Sequence, residues 1–250
     1  MKRYSSLIML LAMLLSMACN NSKNNGQPQK AEAHDSLTHT LEGDSTIYGL
    51  ACDGCTDTIL MFLELSRIDA DPDTFNVLKA SRRHRIFGRL RVGDRIAIVR
   101  NPIDSTVADF VIDMEELLGS WCYQAMPTLR QRADMTGMSQ KQMLSHMSDS
   151  LKKIVMTPRE LGVQLQGDNT ARPIGAHAPM QEDSPVDYPI AKRYRQWRLY
   201  NGKLLLTAMA LDSLGNSYPT DTDTADFVLL QRDSLVLRFK DMTRGYYRKN

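Results

Sequence analysis

The chain has 250 residues, room for one large or two small domains, and carries 31 Lys and Arg against 29 Asp and Glu. Lys2 and Arg3 fall in a leader segment, and without them the balance is 31 − 2 = 29 basic against 29 acidic residues. A neutral balance gives no electrostatic case for nucleic acid, which demands a basic face to displace counterions from phosphates, and no such partner is expected.

The leader comes first in the chain. Lys2 and Arg3 form a positive end, Leu7 to Leu15 an apolar run, and Ser16 to Ala18 a short stretch before Cys19. These are the parts of a secretory signal. The stretch is shorter than the roughly 20 apolar residues of a membrane span, and no later segment approaches that length. Leu15 to Cys19 resembles the lipobox of bacterial lipoproteins, whose cysteine thiol receives a diacylglycerol before the signal is removed. The resemblance implies a signal peptide over residues 1–18, lipidation at Cys19 and a bilayer as partner; the alternative is plain secretion with Cys19 incidental. Residues 19–43 are rich in Asn, Ser, Lys and Gln and poor in large apolar side chains. They read as a disordered tether with a coil dimension of about 25–30 Å. No acidic cluster follows Cys19, which favours the periplasmic face of the outer membrane.

From Ser45 short apolar runs alternate with turn residues: Thr46–Ala51, Thr58–Leu65, Phe75–Leu78, Ile86–Val92, Arg95–Val99 and Ala108–Ile112. In Ile86–Val92, Leu90 and Val92 share one face and Arg89 and Arg91 the other, the alternation of a half-buried strand. These strands predict a small β-barrel or sandwich over residues 44–115.

A second module is expected over residues 116–250. Ser139 and Gln142 form a capping box, and Met143, Met147, Leu151, Ile154 and Val155 recur at helical spacing up to Thr157-Pro158, predicting one helix. Strands return at Tyr194–Tyr200, Lys203–Ala208, Asp226–Gln231 and Ser234–Lys240. Asn201-Gly202 between the first two signals a type I′ hairpin.

Pieces of this half, in order, resemble the lipocalin-like lipoprotein domains of the Bacteroidota. They are Leu118-Gly119-Ser120-Trp121, Leu165 to Ala171, Tyr194 to Leu199, Gly202 to Leu206, Thr224 to Leu229 and Asp233 to Leu237. The resemblance covers about residues 117–248. It implies a mainly β chain ending in a lipocalin-like antiparallel barrel, with Trp121 plugging one end and the helix inserted where it could cap the mouth. It further implies a non-enzymatic protein that binds a small apolar ligand or an envelope protein.

Four cysteines occur, Cys19, Cys52, Cys55 and Cys122. In an oxidising compartment with Cys19 lipidated, the economical arrangement is a Cys52–Cys55 disulfide with Cys122 buried. Cys52-Asp53-Gly54-Cys55 admits three readings. Tyr48 to Cys55 resembles a stretch of NlpE-type envelope lipoproteins, which implies copper or surface-stress sensing. A thiol-disulfide oxidoreductase would place the first cysteine at a helix N-terminus, whereas a strand-like run follows here. A local staple is the third. His34, His39, His84, His146 and His177 show no ligand spacing, and neither a metal nor a cofactor is expected. Arg82, Arg83, His84 and Arg85, with Arg89, Arg91 and Arg95, read as a solvated face or as an anion-binding one. Met135, Met138, Met143 and Met147 read as packing groups. No nucleophile elbow or HExxH motif is present.

Overall fold

A computed structural model describes residues 41–129, 137–175, 186–187, 189 and 191–249. The leader, Cys19, the tether through residue 40, Met135 and His177 lie outside the described residues. The first sheet is built from β1 (Thr46–Ala51), β2 (Ile59–Glu64), β3 (Asp73–Asn76), β4 (Ile86–Phe87), β5 (Arg95–Arg100) and β6 (Ala108–Asp113), in the order β3-β2-β1-β5-β6-β4. All neighbours are antiparallel except β4 and β6. The sheet curls until Asn76, at the end of β3, bridges Val107 just before β6. Leu60, Phe62, Phe75, Ile96, Ile98 and Val111 fill the concavity, with Phe62 and Phe75 edge-to-face at 5.7 Å.

The expected strand over Ile86–Val92 stops at Phe87. Gly88 has φ +84°, and a Cβ there would lie 2.6 Å from Cβ of Asp113, so the chain turns away in a conformation only glycine tolerates. Val92, placed by its alternation on a buried face, is 68% exposed. Leu78, read as a strand end, instead opens the short helix α1 (Leu78–Arg82).

After helix α2 (Met114–Leu117) come β7 (Gly119–Ala125), β8 (Thr128–Leu129), β9 (Arg159–Leu165), β10 (Ala171–Ile174), β11 (Val186–Asp187), β12 (Tyr194–Tyr200), β13 (Lys203–Leu211), β14 (Ser217–Gln231), β15 (Ser234–Arg238) and β16 (Thr243–Lys249). β8 and β11 form a separate ribbon. The other eight strands make one antiparallel sheet in which chain neighbours pair and the last strand returns to the first. Between β10 and β12 the seam is held by a Thr170–Gln196 bridge and by the Trp197 N–H donating to the Asn169 carbonyl at 2.9 Å. This is a nearly closed, up-and-down eight-stranded barrel, the lipocalin-like architecture.

The single helix expected after Ser139 is two, α3 (Gln140–Ser145) and α4 (Asp149–Val155). The capping box is formed, the Ser139 N–H donating to Gln142 Oε1 at 2.9 Å. The Ser148 hydroxyl then accepts from the Leu151 N–H at 3.4 Å, a second cap that restarts the helix. Asn201 and Gly202 have φ +48° and +77°, as a type I′ turn requires.

The two sheets share a core. Ile96 and Ile98 of β5 point into the first sheet's concavity, while Ala97 of β5 and Phe110 and Ile112 of β6 point toward the barrel. Burial on both faces explains why these strands read as nearly unbroken apolar runs. Phe87, Phe110 and Phe227 form a triangle with centroids 5.5, 5.5 and 6.0 Å apart. The Asn201-Gly202 turn rests on Phe110, where an added Cβ on Gly202 would come within 2.9 Å of the ring. Asp113 is 1% exposed and caps α2, its Oδ1 accepting from the Glu115 and Glu116 N–H groups at 2.8 and 3.1 Å. Burial pushes its carboxyl up to about 6, the Glu116 N–H opposing and the Asp94 carboxylate adding to the rise.

Two predictions follow from this junction. Phe110→Ala should lower unfolding free energy by about 3–5 kcal/mol, and urea melts followed by the fluorescence of Trp121 and Trp197 should register the loss even though Phe110 belongs to the other sheet. Folding raises the Asp113 carboxyl above its unfolded value, so its contribution is fully present below about pH 4 and is lost as pH rises through about 6. Asp113→Asn keeps a capping oxygen. The stability difference between wild type and Asp113→Asn should therefore shift against wild type by up to about 3 kcal/mol across that window, measured by denaturant titration at each pH.

Candidate functional site

Among the described residues the barrel has a sealed end and an open one. At the sealed end Trp121 of β7 is fully buried, and its indole N–H donates to the Leu117 carbonyl at 2.7 Å. Arg248 of β16 stacks over that indole at 4.2 Å and donates to the carbonyls of Leu118, at 2.7 Å, and of Glu116 and Arg232. Burial pulls the Arg248 guanidinium down from its ordinary value. Trp197 donates its indole N–H to the Gln166 carbonyl at 2.9 Å, so neither buried indole is left unsatisfied. Val163, Leu199, Leu204, Leu206 and Leu237 fill the space above these groups.

At the open end lies a cavity of about 300 Å³, lined by Tyr123, Val163, Lys192, Tyr194, Asp223, Phe239, Arg244 and Tyr246 among others. Strand alternation puts them there. Arg244, Tyr246 and Arg248 occupy every second position of β16, and pairing sets Arg244 beside Leu237 and Tyr246 beside Leu235, both inward-facing. The Arg244 guanidinium lies over the Tyr123 ring at 4.2 Å, and Tyr123 meets Tyr246 edge-on at 5.5 Å. Lys192 is shared between Asp221 and Asp223 at 2.7 Å each, and the Tyr194 hydroxyl donates to Asp223. Burial pushes the Tyr246 phenol up to about 12; burial, then the Asp223 hydrogen bond, raises that of Tyr194. Both stay protonated at neutral pH, Tyr194 donating to Asp223 and Tyr246 accepting from the Arg244 guanidinium. Hydrogen bonds to Asp221 and then Asp223 hold the Lys192 ammonium above its ordinary range.

Larger clefts, of about 1000 and 650 Å³, lie between the Gly88–Asp94 loop and the β14–β15 turn. Their walls mix Arg89, Arg91 and Arg232 with Asp57, Asp94 and Asp233. The mouth is smaller but is where aromatic faces and oriented polar groups converge, the composition of a small-molecule site. Among the described residues, none of α3 or α4 lines it.

Cys52 and Cys55 sit in the β1–β2 turn, far along the chain from the mouth residues, and both are free thiols. This departs from the expected disulfide for a local reason: the Cys55 thiol donates to the carbonyls of Cys52, at 3.1 Å, and Met61, while the Cys52 thiol turns to the Leu50 carbonyl at 3.8 Å. The segment after Cys55 enters β2, so no helix N-terminus lies there to stabilise a thiolate. Cys122 is buried, and burial raises its thiol. Arg82, Arg83, His84, Arg85 and Arg89 are exposed, Arg95 pairs with Glu115 at 2.7 Å, and Met143 is buried whereas Met138 is not. Among the described residues no cluster of three or more His, Cys, Asp or Glu side chains could hold a metal.

Pattern reading overlooked the mouth residues. β16 pairs arginines with tyrosine on its inward face, and a search for apolar alternation passes over such a strand; the spacing Arg244-x-Tyr246-x-Arg248 was the available signal.

No protein-family model matches this chain, and no curated protein matches it. A solved structure of a lipocalin-like protein from Bacteroides thetaiotaomicron aligns with 54% of this chain and 97% of its own, at 18% identity and a TM-score of 0.27.

The thiol assignments are open to a direct check. In native protein carrying Cys19→Ser, Ellman's reagent should titrate the two half-buried thiols Cys52 and Cys55, with Cys122 reacting only after denaturant is added; a single reactive class of all three would contradict the burial of Cys122.

Proposed function

We propose that this chain is a lipid-anchored protein of a bacterial envelope that binds, without transforming it, a small molecule in the mouth of its barrel. The observation that carries the reading is the asymmetry of the barrel: one end is sealed by Trp121, Arg248 and the first sheet, and the other opens into a cavity lined by three tyrosines, Phe239 and Arg244. A cavity of about 300 Å³ is at the lower end of the range for small-molecule pockets. The anchoring half of the proposal is supported by the residues alone: Lys2 and Arg3, the Leu7–Leu15 run and Cys19 after Ala18. Among the described residues no helix is long and apolar enough to cross a membrane.

A second reading, thiol-based sensing at the envelope, draws on the free, half-buried state of Cys52 and Cys55, since two thiolates can hold copper(I). It competes with the first only if a cuprous titration with a competing chelator shows one equivalent bound and lost in Cys52→Ser.

The experiment for the main reading has two arms. Cys19→Ala should move the protein from the membrane fraction to the soluble one and abolish radiolabelled-lipid incorporation. Native mass spectrometry of the wild-type chain, released gently from its own membranes, should show an additional small mass that Tyr246→Ala loses; a bare protein mass in both would count against ligand binding.

A further inference from the structure

We infer that the ligand of the barrel mouth is a small carboxylate whose anionic group docks on Arg244 and Tyr246 and whose flat apolar body lies along Tyr123 and Phe239. This rests on the reading of the mouth as a binding site and names the chemistry of its occupant.

The cavity is lined by Lys192, Lys240 and Arg244 against Asp223 and Asp241, and Lys192 is bound by Asp221 as well, so what matters is which cation is left without an acid. The inner acid is already engaged, because Asp223 takes the Lys192 ammonium at 2.7 Å and the Tyr194 hydroxyl. Lys240 and Asp241 are exposed at the rim. That leaves Arg244, half-buried on the wall, whose nearest polar partners are the Met242 sulfur at 3.0 Å and the Tyr246 hydroxyl, neither an anion. Among the described residues no carboxylate pairs with it. A guanidinium keeps its charge at any physiological pH and presents a planar fork of donors matched to two carboxylate oxygens.

Arg244 is also held in place before any ligand arrives. Its guanidinium stacks on the Tyr123 ring at 4.2 Å, and Tyr123 is braced edge-on by Tyr246, which is only 8% exposed. A fork fixed by stacking loses less side-chain freedom on binding than a free one. The remaining wall supplies apolar surface: the Tyr123 ring, Val163 and Phe239. A volume of about 300 Å³ equals that of roughly ten waters, enough for one or two fused rings and too little for a long acyl chain with its headgroup. Sequence order explains how this polar end coexists with the apolar middle. On β16 the inward residues run Arg244, Tyr246, Arg248, so both ends of the barrel receive an arginine; the carbonyls of Glu116, Leu118 and Arg232 occupy the second, and the first faces the cavity.

The test uses the full chain carrying Cys19→Ala and a matched pair of probes, naphthalene-2-carboxylate and naphthalene-2-carboxamide, titrated by calorimetry. The carboxylate should bind about tenfold or more tightly than the amide, as a charge-assisted hydrogen bond adds. Arg244→Gln should abolish that preference while leaving the amide's affinity within about twofold. Arg244→Lys, which retains the charge but not the fork, should lose most of it and serves if Arg244→Gln fails to fold. Equal binding of the two probes, or an unchanged preference in both variants, would overturn the carboxylate inference and leave the mouth a binding site. Tighter binding of naphthyl phosphate than of the carboxylate would overturn it in favour of a phosphate monoester. Failure of every probe to bind at millimolar concentration would overturn the inference and the proposed function together.

Discussion

Arg248 stacks on Trp121 at 4.2 Å and spends its donors on the backbone carbonyls of Glu116, Leu118 and Arg232. One side chain on the last strand thereby joins the first strand of the barrel, the connection from the preceding sheet and the β14–β15 turn. A charge buried against an aromatic face is costly unless its hydrogen bonds are met, and here carbonyls with no strand partner meet them. Gly119 completes the fit, since with φ +128° an added Cβ would fall 2.4 Å from the Arg248 Nη1. Arg248 and Trp121 are directly paired residues of β16 and β7, so the stack lies across that strand pair.

Sealing one end has consequences along the whole barrel axis. The first sheet presents Ala97, Phe110 and Ile112 to the closed end and keeps Ile96, Ile98 and Val111 for its own interior, so it is a second core and a stopper at once. The docked type I′ turn fixes the register between the two, with the Asn201 N–H reaching Asp44 Oδ1 at 3.0 Å and Thr46 Oγ1 at 3.1 Å. Apolar burial ends above Leu206 and Leu237, and the tyrosines and Arg244 take over. The interior thus grades from apolar to polar, and the cavity lies at the polar end.

Much of the architecture was legible in the residues, and the failures have local causes. β1, β12 and the Asn201-Gly202 turn fall where the pattern puts them, because half-buried strands alternate and positive φ selects Asn and Gly. The Ile86–Val92 strand fails because its arginines and aliphatics alternate on a loop, and the decisive clash between Gly88 and Asp113 is 25 residues apart in sequence. The helix after Ser139 splits where the Ser148 hydroxyl accepts from the Leu151 N–H and begins a second helix. β16 was not seen as a strand because its inward face carries Arg244, Tyr246 and Arg248, whose burial is conferred by partners on β7 and β15.

By itself the sequence determined the class of the chain: mainly β, nearly balanced in charge at +2, with strands bounded by turn residues whose backbone preferences are intrinsic. Those properties are local, encoded in alternation and in φ. Tertiary structure alone decided which arginine is satisfied and which faces the cavity, and that two sheets share Phe110. Each of these depends on groups distant in sequence meeting at 2.7–6.0 Å, where hydrogen-bond satisfaction and packing, not propensity, set the outcome.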